Sequence, residues 1–311
     1  MAVVALDQRL YNLVDADPQV EQLATGFVFT EGPLWDRRDS TLLFSDTRTA
    51  VMRRWHEQDG SVTVFRDPSN LANGNTWDQD GNLLTCEQKV TRRIARTLPD
   101  GRVETVVDRY RGARLHCPND IICALNGDIL FTDPIFWLRQ PDGTIVGQEY
   151  PTTGVFRYRL ADGELMLLAG DFSAPNGLAL SDDDSILYVC DTRERHIRAF
   201  EVQPDGSLSN DRVFCEFRHG DIEGRPDGMK LDSRGNIYCA ANGAEGIWVF
   251  DPVGILLGFI GIGESPANLT WGGDDWQTLY VTAQTSVYRL RLKLLGQPVR
   301  FAPSALPWRP L

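Results

Sequence analysis

Short apolar runs alternate with polar turn signals along the whole chain. Runs rich in β-branched and aromatic residues, typical of strands, recur as TLLFSD, NLLTCE, DILFTD, ILYVCD, NIYCAA and TLYVTA. Many of the gaps between them hold pairs typical of hairpin turns, such as Asp59-Gly60, Asp80-Gly81 and Asn126-Gly127. No window of about 12 residues shows the apolar period of a capped helix. The pattern therefore predicts a nearly all-β chain.

The chain repeats one pattern six times. Each repeat holds two short strands around an acidic or Gly-rich corner, and a third strand often follows. The repeats begin at Glu31, Asn73, Asn119, Asn176, Asp227 and Asn268. The intervals between these six residues suit four-stranded blades of a propeller. A single blade of this kind cannot bury its own faces, so the blades must pack together. We therefore predict a six-bladed β-propeller that forms a single domain over residues 1–311, with a short N-terminal extension over residues 1–18. Residues 23–30, LATGFVFT, are expected to supply a strand that closes the ring against the last blade.

The first residue of every repeat carries a side-chain oxygen. Because the first strand of a propeller blade lines the central channel, these six side chains should project toward one axis. Two are carboxylates and four are amides, which suits Ca²⁺ or a similar hard divalent cation. The absence of a matched set of His or Cys disfavours a soft-ligand zinc or copper site. The alternative is that Asn-Gly and Asp-Gly pairs only form turns there, but Glu31 is a poor turn former in the same position.

A second acidic layer follows at the end of the second strand. It consists of Asp46, Glu87, Asp133 and Asp191, with Ala241 and Ala283 at the same phase in the last two repeats. A hairpin returns to the face where it began, so we interpret these acids as groups that orient the ring residues and loops. Hydrogen bonding to backbone at the top of the blades is the alternative.

Composition narrows the function classes. The chain has 311 residues and a net charge of −12. This charge argues against nucleic-acid binding, which needs a basic surface to neutralise phosphates. The six cysteines form no C-x-x-C pair and three lie in apolar runs, so we expect buried, reduced thiols in a cytoplasmic protein. The N-terminus does not resemble a signal peptide, and no apolar run is long enough to span a membrane.

Six motifs, in this order, resemble the SMP-30/gluconolactonase/luciferin-regenerating-enzyme-like family, which includes regucalcin. They are TEGPLW at 30–35, ANGNTWDQDGNLLTCE at 72–87, CPNDIICALNGDILFTDP at 117–134, APNGLALSDDDSILYVCDT at 174–192, RPDGMKLDSRGNIYCA at 225–240 and ANLTWGG at 267–273. The similarity is greatest to the bacterial gluconolactonases. Where some relatives have an Arg that holds substrate, this chain has Cys117, and His116-Cys117 replaces the Asn-Ser of others. These two departures leave the substrate open.

The resemblance implies a propeller with one divalent cation at the channel mouth, Ca²⁺ in the first place and Zn²⁺, Mg²⁺ or Mn²⁺ as alternatives. It implies that Glu31, Asn176 and Asp227 bind the cation, and that Asn119 either binds the cation or contacts substrate. The implied activity is metal-dependent hydrolysis of a small-molecule sugar lactone. The oligomeric state stays open.

Candidate roles follow from the charge that develops during hydrolysis. Asp227 is the candidate catalytic residue, as a general base or a group that orients water; its alternative role is ligation alone. Asn73 and Asn119 are candidates for binding sugar hydroxyl or carbonyl groups. Asn75 is a further substrate-binding candidate, although its direction along the strand is uncertain. His116 is another, with ordinary burial as the alternative.

Two other features leave alternatives open. The loop from Pro134 to Gly154 carries Phe136 and Trp137 and is either a lid over the channel or a surface loop. The same site could hydrolyse phosphotriesters or other esters. A non-catalytic propeller could instead bind a protein partner on its top face.

Overall fold

The computed structural model describes residues 3–244 and 246–302. Within these ranges there is no α-helix, and two short 3₁₀ turns, Gln8–Asn12 and Thr47–Thr49, are the helical elements. Six antiparallel sheets of four or five strands are the blades of a β-propeller, and two further sheets among the described residues have two strands each. Inner strands of successive blades contact one another, and the inner strand of the sixth blade returns to that of the first. The predicted six-bladed propeller is therefore confirmed.

Each of the first three blades runs from its inner strand outward in chain order. In the first blade the strands are Thr30–Asp36, Thr41–Asp46, Val51–His56 and Val62–Arg66; in the second, Ala72–Trp77, Leu83–Glu87, Arg93–Thr97 and Val103–Val107; in the third, Ile121–Cys123, Ile129–Asp133, Gly154–Tyr158 and Leu165–Ala169.

The other three blades follow the same order, with N-terminal strands added at the edge of two of them. In the fourth the strands are Pro175–Leu180, Ile186–Asp191, His196–Val202 and Leu208–Glu216; in the fifth, Arg225–Leu231, Ile237–Asn242, Gly246–Phe250, Leu256–Gly261 and the added Val3–Ala5; in the sixth, Pro266–Gly272, Thr278–Ala283, Ser286–Arg291 and the added Glu21–Thr25. Two small ribbons pair Arg109–Tyr110 with Ala113–Arg114 and Arg218–His219 with Ile222–Glu223.

The N-terminal segment closes the ring. Glu21–Thr25 pairs with Ser286–Arg291, so the outer strand of the last blade comes from the start of the chain. This confirms the closing strand, although it begins and ends earlier than the predicted 23–30. The sequence did not predict that Val3–Ala5 adds a fifth strand to the fifth blade. Leu10 follows it and is completely buried, which anchors the segment between the two strands.

Aromatic side chains fill the spaces between blades. The Trp35 ring of the first blade stacks on the Tyr280 ring of the sixth, with 4.8 Å between their centroids. The Trp77 Nε1 atom of the second blade donates to the Trp35 carbonyl at 3.3 Å. All six cysteines lie among the described residues, and they are buried and free of disulfides, as expected. In the ranges that the structure covers, no helix has the length and apolarity to cross a membrane.

Candidate functional site

Five of the six ring residues meet in one cavity of about 350 Å³. These are Glu31, Asn73, Asn119, Asn176 and Asp227, all buried and all at the start of an inner strand or just before one. The structure thus brings together side chains that lie almost 200 positions apart in the chain. The sixth, Asn268, is buried beside them, where its amide hydrogen-bonds to the Glu31 carboxylate.

A glycine after a ring residue lets the neighbouring blade approach. A Cβ atom on Gly32 would lie 1.9 Å from the Asn73 carbonyl oxygen, and one on Gly228 would lie 2.0 Å from the Asn268 Oδ1 atom. Gly74 and Gly177 meet the next ring residue's backbone in the same way. These glycines are therefore required by close packing around the axis, and not only by turns.

The inner strands are irregular where the ring residues lie. In the first, second, fourth and fifth blades, the pairing register between the inner strand and the second strand shifts near the start of the inner strand. The shifts lie between Glu31 and Leu34, Ala72 and Asn75, Pro175 and Leu178, and Pro226 and Met229. A bulge changes the direction of the side chains beside it. The ring side chains are therefore aimed by bulges rather than by simple alternation along a strand.

Two buried carboxylates face the same space. Glu31 and Asp227 are only 4 and 5% exposed. Burial raises the pKa of Glu31 well above its ordinary value, and the Asp227 charge adds to that rise. Burial likewise raises the pKa of Asp227 to about 7, although hydrogen bonds from the Asn242 and Asn176 amides offset part of the effect. Two such groups are costly to ionise without a positive charge between them.

Asp120 is a third acidic group at the site, and the sequence analysis missed it. Its Oδ1 atom accepts from the Ile121 amide at 2.9 Å, whereas its buried Oδ2 atom has no hydrogen bond with any described residue. Its charge contributes to the raised pKa values of both Glu31 and Asp227. The signal that could have identified it is the acid directly after the ring amide in the Pro-Asn-Asp triplet.

Neighbouring polar groups orient Asn176 and Asp227. The Asn176 Nδ2 atom donates to Thr192 Oγ1 at 3.0 Å, and Thr192 Oγ1 in turn donates to the Pro226 carbonyl at 2.7 Å. The Asn242 Nδ2 atom donates to Asp227 Oδ2 at 3.3 Å. Because its amide nitrogen bonds to Thr192 and Asp227, Asn176 is left with its Oδ1 atom for the cavity.

The second acidic layer holds the loops that lead into the ring. Asp133 accepts from the backbone amides of His116 and Cys117 at 2.8 and 2.7 Å. Asp46 accepts from the equivalent backbone amides of the first blade, those of Val28 and Phe29. Asp191 does the same in the fourth blade with the amides of Ser173 and Ala174. Glu87 accepts instead from the side chain of Asn70. In three of the four blades that carry an acid at this position, the acid therefore acts through the backbone that precedes the ring residue.

Asn75 and His116 lie outside the residues that line the cavity. The Asn75 Nδ2 atom donates to the Gly32 and Asn73 carbonyls, and its Oδ1 atom accepts from Thr85 Oγ1 at 2.9 Å. The His116 ring stacks on Tyr150, and burial lowers its pKa to about 4. Both side chains are thus engaged by the protein itself, and substrate binding by either stays a prediction.

Aromatic rings, neutral polar groups and one arginine form the walls of the cavity. Phe29, Phe136 and Trp137 contribute rings, Arg48 contributes a guanidinium group, and Thr47, Gln88, Thr192 and Asn242 contribute neutral polar groups. Phe136 and Trp137 come from the long loop between the second and third strands of the third blade. The Trp137 Nε1 atom donates to Gln88 Oε1 at 2.6 Å, which joins this loop to the second blade. The loop therefore forms one side of the cavity; its movement as a lid stays a prediction.

The donor set of the cavity fits a hard divalent cation. Two carboxylates and three side-chain amides of the ring residues line the cavity, and an unbonded Asp120 oxygen lies nearby. All of these groups offer oxygen atoms, which Ca²⁺ prefers. No group of three or more His, Cys, Asp and Glu side chains within residues 3–244 and 246–302 forms a metal-binding cluster. Amides would therefore have to complete the coordination supplied by Glu31 and Asp227.

Comparisons with known proteins identify the family to which the chain belongs. A gluconolactonase of Zymomonas mobilis is 33% identical over 94% of this chain and 87% of its own length. A 6-deoxy-6-sulfogluconolactonase of Pseudomonas putida is 27% identical over 82% of this chain and 83% of its own. The solved structure of a gluconolactonase from Xanthomonas campestris superposes with a TM-score of 0.84 at 33% identity and covers 94% of this chain and 95% of that one. The SMP-30/Gluconolactonase/LRE-like region matches residues 29–285, and the chain therefore belongs to this family.

Proposed function

We propose that this protein hydrolyses a sugar lactone in the cavity formed by the ring residues. The observation that carries the proposal is the convergence of Glu31, Asn73, Asn119, Asn176 and Asp227 on one space beside aromatic walls. The names of the relatives, a gluconolactonase and a 6-deoxy-6-sulfogluconolactonase, support the substrate class. Rings and neutral polar groups suit the faces and hydroxyls of a sugar.

Glu31, Asn119, Asn176 and Asp227 are the residues that would hold the divalent cation. When bound, the cation supplies positive charge that stabilises the negative charge developing on the lactone carbonyl oxygen. Ca²⁺ is the first choice because every candidate ligand is a hard oxygen.

The chain's own groups would bind the lactone and move the proton. The Asn73 and Asn119 amides donate hydrogen bonds to the sugar hydroxyls or the carbonyl oxygen. The Asp227 carboxylate accepts a proton from water as the water oxygen bonds to the carbonyl carbon. The ring C–O bond then breaks, and the leaving oxygen takes that proton, which yields the open-chain hydroxy acid.

Chelation and metal addition test the proposal. Glucono-1,5-lactone hydrolysis, followed with a pH indicator and corrected for the spontaneous rate, should be lost after exhaustive chelation. It should return with Ca²⁺, and Mg²⁺, Mn²⁺ and Zn²⁺ are tested beside it. Asp227→Asn should lower kcat at least about 1,000-fold, while the exposed turn variant Asp205→Asn should keep its activity.

Two results would contradict the proposal. Full activity after exhaustive chelation would exclude the metal-dependent mechanism. No turnover of any lactone in a panel of aldono-1,4- and 1,5-lactones, with divalent salts present, would exclude lactone hydrolysis.

A further inference from the structure

A second cavity of about 280 Å³ adjoins the first. It lies between the long loop of the third blade and the loop before the fourth, and its lining includes Arg139, Ser173 and Arg193. Phe136 lines both cavities, so the two spaces are adjacent at this side chain. A substrate that reaches past Phe136 from the ring residues would therefore enter this second space.

The two arginines of the second cavity form few hydrogen bonds or ion pairs within the protein. The half-buried Arg139 donates from Nη1 to the Gly143 carbonyl at 3.2 Å. The exposed Arg193 side chain forms neither a hydrogen bond nor an ion pair with any residue that the structure describes. The neighbouring Glu194 carboxylate is already engaged, because it accepts from Ser173 Oγ. Most of the hydrogen-bonding capacity of both guanidinium groups is therefore unused.

Two further cations lie at or near the first cavity. Arg48 lines it and lies over the Phe29 ring at 5.2 Å, and Lys89 lies over the ring of Trp137, another lining residue, at 5.6 Å. Neither has an acidic partner among the described residues. A chain with a net charge of −12 repels anions at long range, so an anionic substrate needs cations near the site. Arg139 and Arg193 at the second cavity and Arg48 at the first are available for this, since none of them has an acidic partner among the described residues.

We propose that the second cavity is a subsite for an anionic substituent of the substrate. On this proposal, which rests on the lactonase function above, the substrate is a sugar lactone with a phosphate, sulfonate or carboxylate group remote from its carbonyl. The guanidinium groups of Arg139 and Arg193 bind that group, since their planar donors match the oxygens of such anions. The rings and neutral polar groups of the first cavity bind the sugar between the two ends.

A pair of lactones that differ only in charge tests the subsite. Glucono-1,5-lactone is neutral and 6-phosphoglucono-1,5-lactone carries the anionic group on the remote carbon. The wild-type protein should show a kcat/KM at least about tenfold higher for the phosphorylated lactone, the size expected of a charge-assisted contact. In the double variant Arg139→Gln/Arg193→Gln, that preference should fall at least about tenfold. The fall should come from a higher KM for the phosphorylated lactone. Arg212→Gln, an exposed arginine on the outer strand of the fourth blade, is the matched control and should keep the preference.

Calorimetry separates failure of the subsite from failure of the lactonase proposal. Binding of 6-phosphogluconate is compared with binding of gluconate, with Ca²⁺ present, and this needs no turnover. Tighter binding of the phosphorylated acid that the double variant loses supports the subsite even if no lactone is hydrolysed. Equal kcat/KM values for the two lactones, or a preference that survives the double substitution, would overturn the subsite while leaving neutral lactone hydrolysis intact.

Discussion

At the level of single residues, the buried carboxylates of Glu31 and Asp227 lower the stability of the folded protein. Both carboxylates are buried, the Asp227 charge raises the pKa of Glu31, and the Asp120 charge raises the pKa of both. A folded state that must hold these charges without a cation is less stable than one with neutral isosteres. Function and stability therefore make opposite demands on the same two side chains.

Glu31→Gln and Asp227→Asn should consequently stabilise the cation-free protein while removing its activity. At pH 8 in chelator we expect each variant to raise the free energy of unfolding by roughly 1 to 3 kcal/mol, because a buried charge is replaced by a neutral amide. Urea unfolding followed by circular dichroism measures this. A loss of stability in both variants would show that these carboxylates are satisfied without a cation.

At the level of the element, the loops into the ring depend on buried acids at the ends of second strands. Asp133 accepts two backbone amides and the Tyr150 hydroxyl. Burial nevertheless raises its pKa to about 6, since desolvation outweighs these bonds. The folded state thus retains the proton on this carboxyl at pH values where the unfolded chain has lost it.

This raised pKa predicts a loss of stability as the pH increases. Above the ordinary pKa of 3.8 the unfolded chain ionises while the folded state stays protonated, so the free energy of unfolding falls until Asp133 ionises near pH 6. The total fall attributable to this group is about 3 kcal/mol. Tyr150→Phe removes a hydrogen bond that lowers the Asp133 pKa, so in this variant the fall should extend to higher pH.

Urea unfolding of the cation-free protein between pH 4 and 8 measures this shift. Tyr158→Phe, in the same blade, is the control and should follow the wild-type profile. If the fall in Tyr150→Phe ends at the same pH as in the wild type, Asp133 is not the group responsible.

The sequence predicted the ring but not the direction of every side chain near it. Phase-matched repeats identified the residues that converge, because blades related by repetition place equivalent positions on one axis. Asn73 and Asn75 are two positions apart and would share a face in a regular strand. The register shift between Ala72 and Asn75 breaks that alternation, and Asn75 turns to the Gly32 carbonyl instead. Bulges depend on contacts between blades, which a single sequence does not display.

At the scale of the whole molecule, both ends of the chain reinforce the ring. The C-terminal part of the described chain crosses several blades, where the Gln297 amide donates to the Leu231 carbonyl and Arg300 donates to the Ser181 carbonyl. The N-terminal strand Glu21–Thr25 pairs with the sixth blade, just before the chain enters the first. Closure of this kind was predictable, since a propeller must join its first and last blades. The fifth strand at Val3–Ala5 was not, because it only extends the edge of a blade that is already complete.

The two N-terminal strands should therefore differ in their importance for stability. Replacing residues 21–25 with a Gly-Ser linker of equal length removes the backbone bonds that join the ends of the ring, yet leaves the buried Leu10 in place. We expect a loss of several kcal/mol in the free energy of unfolding, or about 5 to 10 °C in the melting temperature, and a less cooperative transition.

The matched replacement of residues 3–5 removes an edge strand whose Val4 is about half exposed, so its cost should be no more than about 1 to 2 kcal/mol. Differential scanning calorimetry compares the two. Equal losses would mean that the ring is held closed by side-chain packing between the first and sixth blades, as in the stacked Trp35 and Tyr280, and not by the shared sheet.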